Sequence, residues 1–322
     1  MRVLITGISG FVGSHMAEFA LARGARVFGA SRGRRGPENI RPLLDRVTLL
    51  PCDLLDAAAV RHALEQSAPT HVVHLAAQSS VGESWQAPAE TLATNVVGQA
   101  NLLEAARMLA RPPRVLCVGS SEEYGQVEED ELPIRESNAL RPLSPYAVSK
   151  VAQDLMGYQY WKSYGLPIVR ARAFGHDGPR RGEGFVTSSL ARQVAEIEAG
   201  RREPVIEVGD LKPRRDYSDV RDIVRGYWLL VERGEPGEVY NLCSGRVWSI
   251  QEVLDFLLDR ARVKGIAVRV DPARFRPSDV MVLQGDAAKI EAAMGWRTEI
   301  PFERTLADLL EYWRQRVRSA GG

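Results

Sequence analysis

Residues 2–15 read "RVLITGISGFVGSH": five residues of strand character run into a turn carrying Gly7, Gly10 and Gly13, and a helical pattern begins behind it with Phe11 and Val12. Glycine lets a backbone turn tightly, approach a pyrophosphate closely and pack helix on strand, while the N terminus of the following helix favours an anion. Three glycines alone are a weak signal. Their position between the first strand and the first helix is what marks a dinucleotide-binding turn. Working outward, "ARVFGA", "VTLL", "HVVHLA", "RVLCVGS" and "PIVRARAF" are short apolar runs that read as buried strands, and "FVGSHMAEFALARG" and "ETLATNVVGQANLLEAARML" between them have helical apolar spacing. Strand and helix in alternation predict an α/β fold with a doubly wound parallel sheet.

Beyond about residue 175 this regularity breaks, and loops rich in Gly, Pro and Arg ("GHDGPRRGEG", "GDLKPRRD", "ARFRPSD") separate helices expected at about 185–199, 218–233, 249–262 and 301–317. Such loops suit a ligand-binding lobe. The expected division is a dinucleotide-binding unit over 1–174, with a returning segment at about 216–245, and a smaller α/β substrate-binding lobe from 175–215 and 246–322. A chain of 322 residues is long enough for this core with an added lobe.

Composition excludes more than it selects. The 42 basic and 41 acidic residues nearly cancel, without a long run of like charge, so a nucleic-acid or membrane-surface partner is not indicated. Of the basic residues 37 are Arg, a bias that genome composition explains as readily as function. Cys52, Cys117 and Cys243 are dispersed and odd in number, which argues against a disulfide framework or a metal site and for a reducing, cytoplasmic compartment. The first residues enter a strand pattern at once, so the expectation is a natural start without a cleavable leader, and no run is long and apolar enough to span a bilayer.

The second strand ends at Ser31, followed by Arg32 and Arg35, where an NAD-preferring site usually places Asp or Glu for the ribose 2′-hydroxyl. A guanidinium suits a 2′-phosphate, which favours NADP(H) and leaves NAD(H) as the alternative; solvated arginines in an Arg-rich chain are the competing reading. Asp53, with Leu54 beside it, after the third strand and Leu75, Ala76 and Ala77 after the fourth are placed to edge the adenine and the dinucleotide backbone, or are loop punctuation. "SPYAVSK" puts Tyr146 and Lys150 four apart on one helical face. A neighbouring ammonium and an oxidised nicotinamide both favour the phenolate, bringing a tyrosine towards acid–base work at neutral pH, and Ser120 ends the fifth strand nearby in sequence logic.

Together Gly7, Gly10 and Gly13, Asn95 in "TNVVG", Ser120 four residues before Tyr124, and Tyr146 with Lys150 resemble the extended short-chain dehydrogenases/reductases that modify nucleotide sugars, over essentially the whole chain. The resemblance implies a Rossmann-type sheet. It implies that Ser120 bonds the sugar oxygen, Tyr146 passes the proton, Lys150 also holds the nicotinamide ribose, and Asn95 is architectural. It assigns Phe174 and His176 to the cofactor, and Ser79, Arg181, Val186 and Asn241 to the substrate. Family members usually pair as homodimers through two long helices, here those of "NVVGQANLLEAARML" and "SPYAVSKVAQDLMGYQYW".

In the second half, "GPRRGEGFVTSSL", "VGDLKPRRDYSDVRDIV", "YNLCSG" and "MGW" resemble the GDP-mannose branch, both its 4,6-dehydratases and its 4-keto-6-deoxy-sugar reductases. Arg215 and Arg276, read as loop residues beside Asp216 and Asp279, suit a diphosphate and a ribose diol, with solvated ion pairs as the alternative. In the dehydratases the Glu at the position of Glu122 is the elimination base. Here "GSSEEYG", with Glu123 following, and "RRDYSD", with Tyr217 and Ser218 in place of a Trp-Gly pair, favour the reductases: NAD(P)H-dependent reduction of the C4 keto group of GDP-4-keto-6-deoxy-D-mannose to GDP-D-rhamnose, with Glu122 lining the sugar pocket. The 4,6-dehydratase is the alternative, and an NAD-dependent 4-epimerase the next. Gly175, where the reductases usually have Asn, leaves room for a bulkier hexose or heptose.

The arginines yield a direct check. Arg32→Ala should weaken NADPH binding about tenfold or more, roughly one charge-assisted phosphate contact, while NADH binding changes little. Equal losses in a fluorescence titration of both cofactors would make these arginines surface residues.

Overall fold

The computed structural model describes residues 1–33, 36, 38–275 and 280–319. Arg35, Arg276 and Asp279 lie outside the described residues. Six strands, β1 (Arg2–Thr6), β2 (Arg26–Ser31), β3 (Val47–Pro51), β4 (His71–His74), β5 (Arg114–Ser120) and β6 (Ile168–Ala173), run parallel in one sheet. Then β7 (Gly175–Asp177), β8 (Val205–Val208) and β9 (Arg214–Asp219) leave it, and β10 (Val239–Leu242) returns beside β6. The order is β10-β6-β5-β4-β1-β2-β3. This is the Rossmann-type doubly wound sheet expected from the alternation of apolar runs.

Helices cover both faces, which is why strands such as "VLI" are apolar at every position rather than every second one. The helices in chain order are α1 (Phe11–Ala22), α2 (Ala57–Ser67), α3 (Val81–Gln86), α4 (Pro88–Leu92), α5 (Gly98–Arg107) and α6 (Pro145–Tyr164), then α7 (Val186–Glu198), α8 (Val220–Arg233), α9 (Ile250–Asp259), α10 (Ala288–Met294) and α11 (Phe302–Ser319). On one face Met16 and Ala20 of α1 meet Ile223, Tyr227 and Leu230 of α8. On the other, Leu64 of α2, Leu102 and Leu103 of α5, and Tyr160 of α6 share a second core.

Two small sheets stand beyond the main one. In the first, β9 is flanked antiparallel by β11 (Val247–Ser249) and parallel by β13 (Val282–Leu283) and β7. In the other, β8 pairs with β12 (Ala267–Val270). Helices α7, α9 and α11 pack against one another through Val194, Leu254, Leu257, Leu306, Leu309 and Trp313. Among the described residues no helix is long and apolar enough to cross a membrane.

The strand order reverses between β1 and β4, the place where such sheets open a ligand crevice. The glycine turn sits there. A Cβ on Gly13 would collide with the Gly7 carbonyl oxygen and lie 2.8 Å from Ile8 Cα. Gly13→Ala is therefore expected to push α1 off the turn and cost about 1–3 kcal/mol of stability, read as a lower melting temperature in thermal unfolding. An unchanged melting temperature would show that the turn yields freely.

Candidate active site

The cofactor side is built from three strand ends. Gly7 adopts φ +71°, and a Cβ there would lie 3.0 Å from Ala76 Cα, so the turn presses on the Leu75–Ala77 segment after β4. Thr6 fastens the two chains: its Oγ1 accepts from the N–H of Leu75 and of Ala76, both at 3.1 Å, and bonds His74 Nδ1 at 2.8 Å. Gly10 caps α1 without any side-chain bond to the helix N terminus, which leaves the N–H groups of Phe11, Val12 and Gly13 for an anion. A cradle that a Cβ would fill, at an uncapped helix N terminus, fits a dinucleotide pyrophosphate. Ser31 ends β2 with its Oγ 3.2 Å from Ser9 Oγ, and Arg32 beside it is exposed. Asp53 folds onto its own turn, Oδ1 accepting from Leu55 N at 3.1 Å. Leu54, assigned to the cofactor from sequence, instead packs in the core against Gly98.

Ser144 and Pro145 start α6, the Ser144 Oγ accepting from Ala147 N at 3.1 Å, so Tyr146 and Lys150 face the end of β5. There the Ser120 side chain neighbours the Tyr146 phenol. Burial pushes the phenol pKa up, more than Ser120 and Arg181 lower it, with Glu122 and Glu123 adding to the rise. In the protein's own surroundings the tyrosine is thus held protonated, the reverse of the lowering expected from sequence, and suited to giving a proton. Lys150 Nζ donates to the Val118 carbonyl at 2.9 Å and lies 5.9 Å from the Tyr146 ring centroid. Burial pulls its pKa down to about 8, against the opposing pull of Glu123. Asn95 sits in a π-helical turn (Ala93–Val97) and is wholly buried. Its Oδ1 accepts from Gln78 N at 2.8 Å and its Nδ2 donates to Gln78 O at 3.0 Å and Ser149 Oγ at 2.8 Å, tying the segment after β4 to α6.

Phe11 stacks on His176 at 6.1 Å, and the Arg181 guanidinium lies over both Phe11 (5.0 Å) and Phe185 (3.5 Å). His176 Nδ1 donates to the Phe174 carbonyl at 2.8 Å, and burial lowers its pKa to about 4, so it is neutral. Ser79 and Val186, the latter the first residue of α7, are exposed. Glu122 is half-buried in the turn after β5, close enough for its charge to reach Tyr146.

Several sequence assignments are corrected here. Asn241 is wholly buried and its amide is consumed, Oδ1 accepting from Tyr124 OH at 2.6 Å and Nδ2 donating to Ile134 O at 3.0 Å. The Phe174 side chain lies in a core with Tyr124 and Cys243. Arg215 belongs to β9 rather than a loop, and its Nη1 donates to Val280 O at 2.6 Å. Asp216 is buried and accepts from Ser244 N, Ser244 Oγ, Gly245 N and Gly285 N, so its oxygens knot three chain segments instead of meeting a ribose. The room left by Gly175 is taken by Tyr217, whose Cδ1 would lie 2.8 Å from a Cβ there and whose ring stacks on Phe302 at 4.8 Å and 5°.

One group escaped the sequence reading. Asp154 Oδ2 accepts from Arg170 Nη1 at 2.9 Å and Arg172 Nη2 at 2.8 Å, and Glu123, wholly buried, accepts from Ser120 N at 2.7 Å. The signal was present: two arginines in "IVRARA", a strand buried at every position, demand buried carboxylates.

Comparison with known proteins agrees with this geometry. The sequence model of the GDP-mannose 4,6 dehydratase family matches residues 4–309. The GDP-6-deoxy-D-mannose reductase of Pseudomonas aeruginosa is 36% identical over 317 residues, 98% of each chain. A GDP-mannose 4,6-dehydratase of Yersinia enterocolitica is 31% identical over 96% of this chain and 92% of its own. Among solved structures, RMD from Pseudomonas aeruginosa complexed with NADPH superposes with a TM-score of 0.84 at 33% identity, covering 98% of this chain and 100% of that one. Thermus thermophilus UDP-glucose 4-epimerase in complex with NAD gives 0.86 at 33% identity over 98% and 99%. Matched by that family's model over residues 4–309 and similar over 98% of its length to one of its reductases, the chain belongs to the GDP-mannose 4,6-dehydratase family of nucleotide-sugar oxidoreductases.

Proposed function

We propose that the chain reduces the C4 keto group of GDP-4-keto-6-deoxy-D-mannose to GDP-D-rhamnose with NADPH, NADH being the alternative donor. The observation that carries this reading is the meeting of Ser120 and Tyr146 at the end of β5, beside the Lys150 ammonium, in a chain similar along nearly its whole length to a 6-deoxy-sugar reductase. When bound, NADPH supplies the hydride. Tyr146 gives its proton to the oxygen that becomes the C4 hydroxyl. Ser120 steadies that oxygen as charge develops on it, and the Lys150 ammonium favours the phenolate left behind. Ser31 and Arg32 support NADPH, which is also the cofactor in the Pseudomonas aeruginosa RMD structure.

Residues 1–174, with the returning segment at about 216–245, form the cofactor unit in this reading, and 175–215 with 246–322 the lobe that takes the GDP-sugar, with Arg181, Val186, Arg215, Arg276 and Asp279 its candidate ligands. The three cysteines are free and buried, which supports a reducing, cytoplasmic location. A second reading, the 4,6-dehydratase, is favoured by Glu122 beside Tyr146 and by relatives of that activity. Elimination across C5 and C6 needs such a base, whereas hydride delivery to C4 does not.

The homodimer is supported by Val97 and Met108 bracketing α5, and by Val148, Leu155 and Tyr158 on one face of α6, all exposed apolar side chains on the two helices expected to pair. Light scattering at micromolar concentration is expected to give twice the chain mass of 35.6 kDa, and a monomer would remove this part.

For the reaction, GDP-mannose alone should be inert, while its 4-keto-6-deoxy derivative discharges NADPH absorbance and yields a 6-deoxy sugar. Tyr146→Phe and Lys150→Ala should each lose about a hundredfold or more in turnover with sugar binding largely intact, and Glu122→Gln should be tolerated. Conversion of GDP-mannose without added reductant, abolished by Glu122→Gln, would instead establish the dehydratase.

A further inference from the structure

Behind Ser120, Tyr146 and Lys150 lies a carboxylate that touches no ligand-accessible surface. Glu123 follows β5 by three residues, and a place is made for it by Gly119: a Cβ there would collide with Glu123 Oε1 and lie 3.0 Å from the Ala171 carbonyl oxygen. Oε1 accepts from Ser120 N at 2.7 Å. Oε2 lies 3.2 Å from Arg172 Nε without the alignment of a hydrogen bond, so it remains a buried oxygen with a lone pair unfilled. Lys150 binds the carbonyl of Val118. The carbonyl of residue 118 and the N–H of residue 120 point the same way from a strand, so Lys150 and Glu123 grip β5 on one side, one residue apart.

The charged and titratable groups around Glu123 come from each element packed on it: Cys117 from β5; Glu122 and Tyr124 from its own turn; Tyr146, Lys150 and Asp154 from α6; Arg170 and Arg172 from β6. His74 of β4 reaches Lys150 from the far side and is neutral, its pKa lowered by burial. Glu123 and Asp154 balance Arg170 and Arg172, and Lys150 is the fifth charge. Without the carboxylate of Glu123, Asp154 alone faces three cations, of which a lysine ammonium surrenders its proton far more readily than a guanidinium. Burial and Asp154 push the Glu123 carboxyl up while burial pulls Lys150 down, so the charge of each bears on the titration of the other.

We propose that Glu123 is a positioning residue for proton donation: it pins the end of β5 that carries Ser120, and it sets a buried carboxylate on the side of that strand where the Lys150 ammonium is held. The kinetic consequence rests on the reductase reading, but the charge on Lys150 does not. Glu123→Gln keeps the shape and an acceptor for Ser120 N while removing the charge. At pH 7 its turnover and KM for the keto sugar should stay within about twofold of the parent, while the alkaline limb of the kcat profile falls by about one pH unit, roughly tenfold in rate above it. Glu123→Asp, which retains the charge, should restore most of the shift.

The independent readout is a titration of 13Cε-labelled lysine by NMR, tractable because the chain has five lysines and Lys150→Arg identifies the signal. The Lys150 midpoint should fall by about one unit in Glu123→Gln. Should that variant not fold, Glu123→Leu serves the same comparison. A shifted midpoint in a chain that reduces no keto sugar would uphold the role of Glu123 and overturn the reductase reading. An unmoved midpoint, or an Asp variant shifted as far as the Gln variant, would reduce Glu123 to packing.

Discussion

The close approach of Gly7 to Ala76 sets the position of everything catalytic. At 3.0 Å from the Ala76 Cα there is no room for a side chain, so the ends of β1 and β4 come together at the reversal of strand order and the crevice opens directly above them. Thr6 makes the junction stiff by taking two N–H groups of the β4 extension. The same extension leads to Gln78, and Gln78 is held by Asn95, which in turn holds Ser149 of α6, three residues from Tyr146 and one from Lys150. A contact required by a dinucleotide turn is thereby relayed, through two buried amide contacts, to the helix that carries the proton donor. Preorganisation of this kind is what lets a hydroxyl and an ammonium act on a developing charge without reorganising first.

The second constraint is electrostatic. β6 lies between β10 and β5, buried at every position, and still carries Arg170 and Arg172. Isolated guanidinium groups there would be prohibitive to desolvate, and they are tolerated because Asp154 meets both, while the Tyr124 hydroxyl and the Glu136 carbonyl accept from Arg172 and the Glu123 carboxylate lies beside it. Lys150 lies in the same enclosed space, where burial draws its pKa down and Glu123 opposes the fall.

How much of this was legible depended on whether a residue's partners lie near it in sequence or in pattern. The strands were legible because a sheet covered on both faces writes itself as apolar runs, and the helices because their apolar spacing survives. Tyr146 and Lys150 share a helical face by spacing alone, and Ser120 announces itself by ending a strand. Asn241, Asp216 and Phe174 were misread for one reason: a polar or aromatic residue near a loop looks like a ligand, and only the fold reveals that the Asn241 amide is already spent on Tyr124 and Ile134, or that Asp216 is spent on Ser244, Gly245 and Gly285. Those partners lie 28 to 117 residues away. No periodicity encodes them.

Tyr217 fills the space over Gly175, and its ring lies flat on Phe302, the first residue of the last helix. The wall beside the cofactor strand is therefore supported from a part of the chain that has no share in proton transfer. Trp248 meets the same Phe302 ring edge-on at 5.5 Å, so the support of Tyr217 runs from the last helix to β11. A change in that helix therefore reaches Gly175 through one pair of rings, without passing through Ser120, Tyr146 or Lys150.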